Sequence, residues 1–320
     1  MEKLAILRLF SAILYALSSF LIVVINKIVL TTFKFPSFQC LAIGQMITTV
    51  LVLGFARGFR LINFSLDAKE MLIKIFPLPL IYLGNIMTGL GGTKKLSLPM
   101  FTVLRRFSIL FTMILEYIIL KVRPSNWIQL SVFSMILGAI IAASDDLAFD
   151  IIGYIFIFGN DVFTALNGVI VKKKLENKEI GKYGLIFYNS FFVIPFALIY
   201  AFLDQEHVKL AEFTSWNEPL FILSFLLSCF MGFILNYSVV LCTHYNSALT
   251  TTIIGCLKNM IVTYSGMMIG GDYIFSWPNF VGLNISILGS LFYSYLTFFQ
   301  KLNKEKIIDY TLIKKNIADA

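Results

Sequence analysis

Ten stretches of about 20 predominantly apolar residues recur along this 320-residue chain with short polar connections between them, and no other feature restricts the fold as much. They run over 9–30, 37–56, 73–92, 98–120, 126–144, 151–171, 184–203, 219–241, 247–269 and 277–299. A helix of about 20 residues reaches across the hydrocarbon core of a bilayer. Only 14% of the residues are charged and the mean hydropathy is +0.83, so lipid, not water, is the main solvent. The first stretch is long, lacks a small-residue cleavage site and precedes nine others, so it reads as a retained helix and not a leader. No hydrophilic region is long enough for a second, soluble domain. The expected class is an all-α membrane protein of ten transmembrane helices.

Orientation follows from where Lys and Arg fall, because cytosolic loops retain them. With the N-terminus in the cytosol, that face holds about 18 Lys and Arg, including the group Lys172, Lys173, Lys174, Lys178 and Lys182 and the tail from Lys301 to Lys315. The opposite face receives Lys27, Lys34, Lys94, Lys95 and Lys209, together with carboxylates such as Asp145, Asp146, Asp204 and Glu212. Both termini are expected in the cytosol, in agreement with an even number of crossings. The net charge of +8 then belongs to loops and a tail that face anionic lipid headgroups, and no nucleic-acid partner is expected.

Cys40, Cys229, Cys242 and Cys256 form no CxxC pair and read as small packing residues. His207 and His244, the two histidines, are both expected in loops. Neither a metal centre nor a cofactor is expected, and no Ser/His/Asp set or carboxylate pair suggests an enzyme. The sequons at Asn63, Asn236 and Asn284 fall in a cytosolic loop or inside spans, so none is expected to carry a glycan.

A weak internal repeat divides the chain. Span four begins Leu98-Pro99-Met100-Phe101-Thr102-Val103-Leu104-Arg105-Arg106, and span nine begins at Ala248 and reaches Gly255-Cys256-Leu257-Lys258-Asn259. Each carries cationic or amide groups two to three turns in, then a polar break, then a Trp before the next span. Gly44-Gln45-Met46 in span two likewise answers Tyr188-Asn189-Ser190 in span seven. Five spans is an odd number, so the second half must run opposite to the first. Such inverted repeats are a transporter architecture with the site between the halves. The expected halves are 1–147 and 148–300, with 301–320 as a cytosolic tail.

Charged groups at helix centre cost about 2.5–3.5 kcal/mol on insertion scales, so those retained require an explanation. Arg105 and Arg106 lie about 9–10 Å beyond Pro99 along a helix, and Lys258 lies about 16 Å beyond Ser247 from the other face. Three cations at similar depth suit a ligand with about two negative charges, such as a pyrophosphate diester; Arg offers forked donors and Lys a compact point charge. Internal pairing is the alternative, with Asp161 in span six or Glu116 near the cytosolic end of span four as counter-ion. In Tyr188-Asn189 an amide can meet the edge of a base and a ring can stack on its face. Helix–helix hydrogen bonding is the alternative for such polar groups. Asn26, Lys27, Asn236 and Tyr237 are further candidates of the same kind.

These residues resemble the nucleotide-sugar transporter family of the drug/metabolite transporter superfamily, over nearly the whole chain. The stretches that carry the likeness are Asn26-Lys27-Ile28-Val29-Leu30-Thr31-Thr32, Phe101 to Phe107 with Arg105-Arg106, Asn160-Asp161-Val162-Phe163-Thr164-Ala165-Leu166-Asn167-Gly168, and Gly255-Cys256-Leu257-Lys258-Asn259. The branch it looks most like carries UDP-glucuronate, UDP-N-acetylgalactosamine, UDP-N-acetylglucosamine and related sugars. The resemblance implies exchange of a cytosolic nucleotide sugar for a luminal nucleoside monophosphate across a Golgi membrane, with the endoplasmic reticulum as the other candidate. Tyr188 and Asn189 match the family's base-recognition motif, and Gly255, Lys258 and Asn259 match its phosphate and sugar motif. The GDP-mannose carriers have two asparagines in the first motif and the order Asn-Lys in the second. Here Ser190 follows Asn189, and Lys258 precedes Asn259, which favours UDP-sugars. A GDP-mannose carrier and a carrier of another phosphorylated organic anion are the competing readings. A homodimer is compatible with the sequence.

Overall fold

The computed structural model describes residues 2–64, 67–95, 104–144, 151–176, 180–269 and 277–297, with main chain only over 90–95, 259–269 and at nine single positions (2, 3, 5, 31, 68, 86, 143, 279 and 283). Among the described residues there are helices, turns and loops and no strands. The helices are α1 (Glu2–Lys27, prolonged by the π-helical turn Ile28–Thr32), α2 (Phe38–Gly58), α3 (Ala68–Ile75), α4 (Leu78–Lys95), α5 (Phe107–Leu120) and α6 (Asn126–Ala143). Then come α7 (Ile151–Glu176), α8 (Lys182–Leu203), the short α9 (Glu206–Ala211), α10 (Pro219–Tyr245), α11 (Ala248–Ile269) and α12 (Trp277–Tyr295). Helix occupies at least part of each of the ten apolar stretches.

Five helical segments among the described residues are long and apolar enough to cross a membrane unaided: Ile6–Leu30, Phe38–Gly58, Ile151–Glu176, Lys182–Leu203 and Pro219–Tyr245. Segments of α3 and α4 make a sixth candidate, bent by 62°. The bend falls at Phe76-Pro77, where proline disfavours a helical conformation in the residue before it. Phe107–Leu120, Asn126–Ala142, Ala248–Lys258 and Phe280–Tyr295 are shorter apolar helices.

The polarity of the helix surfaces is inverted relative to a water-soluble bundle. Large apolar side chains such as Leu17, Phe55, Phe202, Leu220 and Leu223 are exposed, while Ser18, Thr112, Asn160, Asp161, Ser228 and Ser286 are buried. In lipid the apolar effect no longer drives helices together, so close contact of small residues and interhelical hydrogen bonds take its place. The α6–α12 pair shows both. Gly138 and Gly282 face each other so closely that a Cβ on either would collide with the other's main-chain oxygen, and Ser286 Oγ donates to Met135 O at 2.8 Å. Ser18 and Ser238 share a 2.7 Å hydrogen bond between α1 and α10. Between α4 and α7, Asn160 Nδ2 donates to the Asn85 carbonyl at 2.7 Å and Asn85 Nδ2 to Thr164 Oγ1 at 2.7 Å.

The packing partners follow a rule. Helix α1 packs on α10 and α11, and α7 packs on α4 and α5. Helix α2 meets α10, and α8 meets α4. The pairs α2–α8, α5–α11 and α6–α12 join counterparts directly. Advancing each predicted span by five maps these contacts onto one another, while among the described residues α7 also packs on α10 and α11 without a matching principal contact from α1.

Candidate substrate-binding site

The cationic positions converge at the start of α5. The sequence predicts a continuous helix through span four, with the arginines two turns in. Instead, Arg105 and Arg106 form a turn and α5 begins at Phe107, while residues 96–103 lie outside the described residues. There Ser108 Oγ donates back to the Arg105 carbonyl at 2.7 Å, alongside the Ile109 N–H to Arg106 carbonyl bond at 3.0 Å. Both arginines thus stand at a helix N-terminus, where unpaired N–H groups and the helix dipole add positive potential.

Around that terminus the chain gathers residues distant in sequence. Arg105 interacts electrostatically with Asp161 of α7, Lys258 of α11 and Tyr15 of α1. Cys256 feels both arginines and Asp161 and hydrogen-bonds Ser108. Gly255 lies against the Tyr15 hydroxyl, only 2.8 Å from where a Cβ would stand, so the ring can approach the helix backbone there. Arg106 is 2% exposed and Asp161 fully buried. Neither Asp161 oxygen accepts a hydrogen bond among the described residues. Among the described residues Lys258 likewise makes no hydrogen bond or ion pair. The side chain of Asn259 lies outside the described residues.

Glu116 is not part of this cluster. Its carboxylate accepts from the Leu249 N–H at 3.0 Å and also from that of Ala248, capping the first turn of α11. Asn26 is also occupied: its Oδ1 accepts from Ser228 Oγ at 2.6 Å and Gln45 Nε2 at 3.3 Å, joining α1, α2 and α10. Lys27 is exposed in the last turn of α1.

Span seven separates its two candidates. Tyr188 is 2% exposed and sits among Phe64, Phe187, Phe191 and Phe192, in the aromatic core. Asn189, about 100° further round the helix, lines a small cavity with Tyr82, Asn167, Ser190, Asn236 and Thr243. Asn236 thus joins Asn189, whereas its neighbour Tyr237 stacks on Tyr183 with centroids 6.0 Å apart and accepts from Lys182. The cavity measures about 60 Å³, room for a few waters and too little for a nucleoside. Tyr82 also borders a larger, mostly apolar cavity of about 430 Å³ between α2, α4 and α8. Tyr15, Tyr82 and Asn167 escape sequence reasoning because a single polar residue in an apolar helix gives no periodic signal; Asn167 was visible only as part of a longer matching stretch.

One end of this assembly is closed. Lys172 Nζ donates at 2.9 Å to the carbonyls of both His244 and Asn246. Asn246 Nδ2 donates to Arg8 O at 3.2 Å and Ser11 Oγ at 3.1 Å, and Arg8 Nε donates to Tyr245 O at 3.3 Å. The α10–α11 turn is therefore held by α1, α5 and α7 together. His244, expected in a loop, belongs to the last turn of α10.

Known proteins resemble this chain over most of its length. The profile of the Triose-phosphate Transporter family matches residues 5–294. The "UDP-sugar transporter UST74c" of Drosophila melanogaster is 56% identical over 92% of this chain and 79% of its own. The human "Nucleotide sugar transporter SLC35D2" is 53% identical, covering 94% and 89%. The "UDP-sugar transporter sqv-7" of Caenorhabditis elegans is 51% identical, covering 92% and 90%. A solved structure described as "Crystal structure of protein" superposes on 90% of this chain and 97% of its own with a TM-score of 0.59 at 11% identity, which shows a shared fold alone. The chain belongs to the Triose-phosphate Transporter family and to the nucleotide-sugar transporters of the drug/metabolite superfamily, and is a membrane transporter, not an enzyme.

Proposed function

We propose that this protein is an antiporter that moves a UDP-sugar from the cytosol into the lumen of the Golgi in exchange for UMP. The endoplasmic reticulum is the second candidate compartment. The sugar is drawn from UDP-N-acetylglucosamine, UDP-N-acetylgalactosamine, UDP-glucuronate and UDP-glucose. The observation that carries the reading is Lys258, a cation deep in α11 with no counter-ion among the described residues, beside Arg105 at the start of α5. Arg105, Arg106 and Lys258 with Asp161 amount to three positive charges and one negative, a formal +2. A nucleoside diphosphate sugar with an uncharged sugar carries two negative charges (UDP-glucuronate adds a third on its carboxylate), and UMP carries about two because its second pKa is near 6. Either ligand would neutralise the cluster, so charge complementarity selects this class and permits one-for-one exchange. Two of the three relatives are named as UDP-sugar transporters and the third as a nucleotide sugar transporter, which favours the same substrate class.

In this proposal the chain crosses the membrane ten times with both termini in the cytosol. Residues 1–147 and 148–300 are halves of opposite orientation, and 301–320 is a tail. The five-span correspondence of packing partners supports that division, and alternating access would rock one half on the other about the cluster. The end closed by Lys172 and Asn246 is then the cytosolic one. Asn189 and Asn236 contact the base and Gly255 and Asn259 the phosphate and sugar, whereas Tyr188 and Tyr237 act through packing, Asn26 through interhelical hydrogen bonds, and exposed Lys27 lies outside this site.

The test is uptake of radiolabelled UDP-sugars and GDP-mannose into proteoliposomes preloaded with UMP, GMP or buffer. Uptake of UDP-sugars stimulated by internal UMP alone is the expected result. Equal stimulation by GMP with good entry of GDP-mannose would remove the uridine assignment. No stimulation by any nucleotide, from folded protein, would point to another organic anion.

A further inference from the structure

Helix α7 carries Asn160, Thr164 and Asn167 at spacings of four and three, which places all three on one helical face. The first two are engaged by α4: Asn160 Nδ2 donates to both oxygens of Asn85, at 2.7 and 3.1 Å, and Thr164 Oγ1 accepts from Asn85 Nδ2 at 2.7 Å. Asn167 departs from that pattern. Its amide makes no hydrogen bond among the described residues, and its Oδ1 is buried. The same holds for Asn189 on α8, and both amides face the small cavity that Asn236 also lines. In a lipid-embedded helix a polar side chain normally finds a protein partner, as Asn160 does. Two half-buried amides whose buried oxygens lack a protein partner among the described residues, converging on a polar recess, point to a ligand with complementary groups.

Asn167 is also placed at a useful distance. It lies seven residues from Asn160, about 10 Å along the helix axis, and Asn160 adjoins Asp161 of the cationic cluster. That separation is of the order of the span from a base edge through ribose to the phosphates. Uracil presents acceptor, donor and acceptor at O2, N3–H and O4. One amide can accept from N3–H while returning its NH₂ to an adjacent carbonyl, and a second amide can donate to the other carbonyl. Against the first amide in that orientation, with O4 as the adjacent carbonyl, cytosine mismatches at both atoms, having an acceptor at N3 and a donor at C4.

We propose that Asn167 is a specificity-determining residue that reads the imide edge of uracil together with Asn189 from across the recess. This rests on the uridine reading above, with Asn167 added as the residue that discriminates among bases. The bound state needs the recess to widen, since 60 Å³ admits only the edge of a ring.

The test uses full-length protein in proteoliposomes and measures inhibition of UDP-sugar uptake by external UMP, CMP, N3-methyl-UMP and ribose 5-phosphate. In the native protein UMP should compete at least about tenfold better than CMP or N3-methyl-UMP, as expected for a lost bidentate contact. In Asn167→Ala and Asn167→Ser the UMP:CMP ratio should fall towards one, with inhibition by ribose 5-phosphate unchanged. A residue that only supports packing would weaken all four competitors alike. Retention of the native ratio in both variants would overturn the proposal while leaving a uridine carrier standing. Equal competition by UMP and N3-methyl-UMP in the native protein would overturn it without recourse to variants. A native protein indifferent to UMP and CMP would overturn the uridine reading itself.

Discussion

The Glu116 carboxylate, at the end of α5, accepts a 3.0 Å hydrogen bond from the Leu249 N–H in the first turn of α11. A side chain of one helix thereby caps another, 133 positions away in sequence, and does so at 6% exposure. Unpaired N–H groups at a buried helix start are expensive, and an anion there also meets the favourable end of the helix dipole. Glu116→Ala is expected to cost about 1–3 kcal/mol, read as a lower thermal midpoint in detergent. Glu116→Gln keeps an acceptor and should fall between. Unchanged midpoints in both would show that the cap adds nothing to stability.

Lys258 is expected to contribute to every phosphorylated ligand and to discriminate among none. Lys258→Ala should raise the half-saturating concentration for UDP-sugar and UMP by about 10- to 100-fold, the effect of removing a hydrogen bond to a charged group. Native uptake in that variant would remove Lys258 from the site. If the cluster is neutralised equally by both ligands, initial exchange rates should vary little with an imposed potassium-diffusion potential.

Lys172 holds the α10–α11 turn through two main-chain carbonyls. Lys172→Ala should weaken the closed end, a change readable at Cys242, which is fully buried one turn before Asn246. In a background with the other three cysteines replaced, labelling of Cys242 by a thiol reagent should quicken about 10- to 100-fold, as for an opening eased by one charged hydrogen bond. An unchanged rate would mean that Arg8 and Asn246 suffice to hold the turn.

The α6–α12 contact predicts a strict size limit. Gly138→Val would drive a side chain into the Gly282 carbonyl and Ser286, costing about 1–3 kcal/mol if the helices can shift apart and more if they cannot. Gly58→Val, at a position with nothing nearby, is the control. Equal thermal midpoints for the two variants would contradict the packing described.

The sequence by itself determined that the chain is helical and lipid-embedded, and it picked out Arg105, Arg106, Lys258 and Asp161 as groups needing partners. Both inferences rest on local or additive quantities: run length, hydropathy and the cost of a charge in hydrocarbon. Only the tertiary structure decided which polar groups are occupied and which are available. Asn26 and Glu116 resemble Asn189 and Asp161 as residue types, yet the first two are bonded within the protein. Tyr188 and Asn189 are adjacent in sequence and turn to different surroundings, because a 3.6-residue helix separates neighbours by about 100°. Asn167 gave no signal of its own until three other helices closed around it. Hydrogen-bond satisfaction depends on what stands across the interhelical gap, and that is a property of packing which no single segment contains.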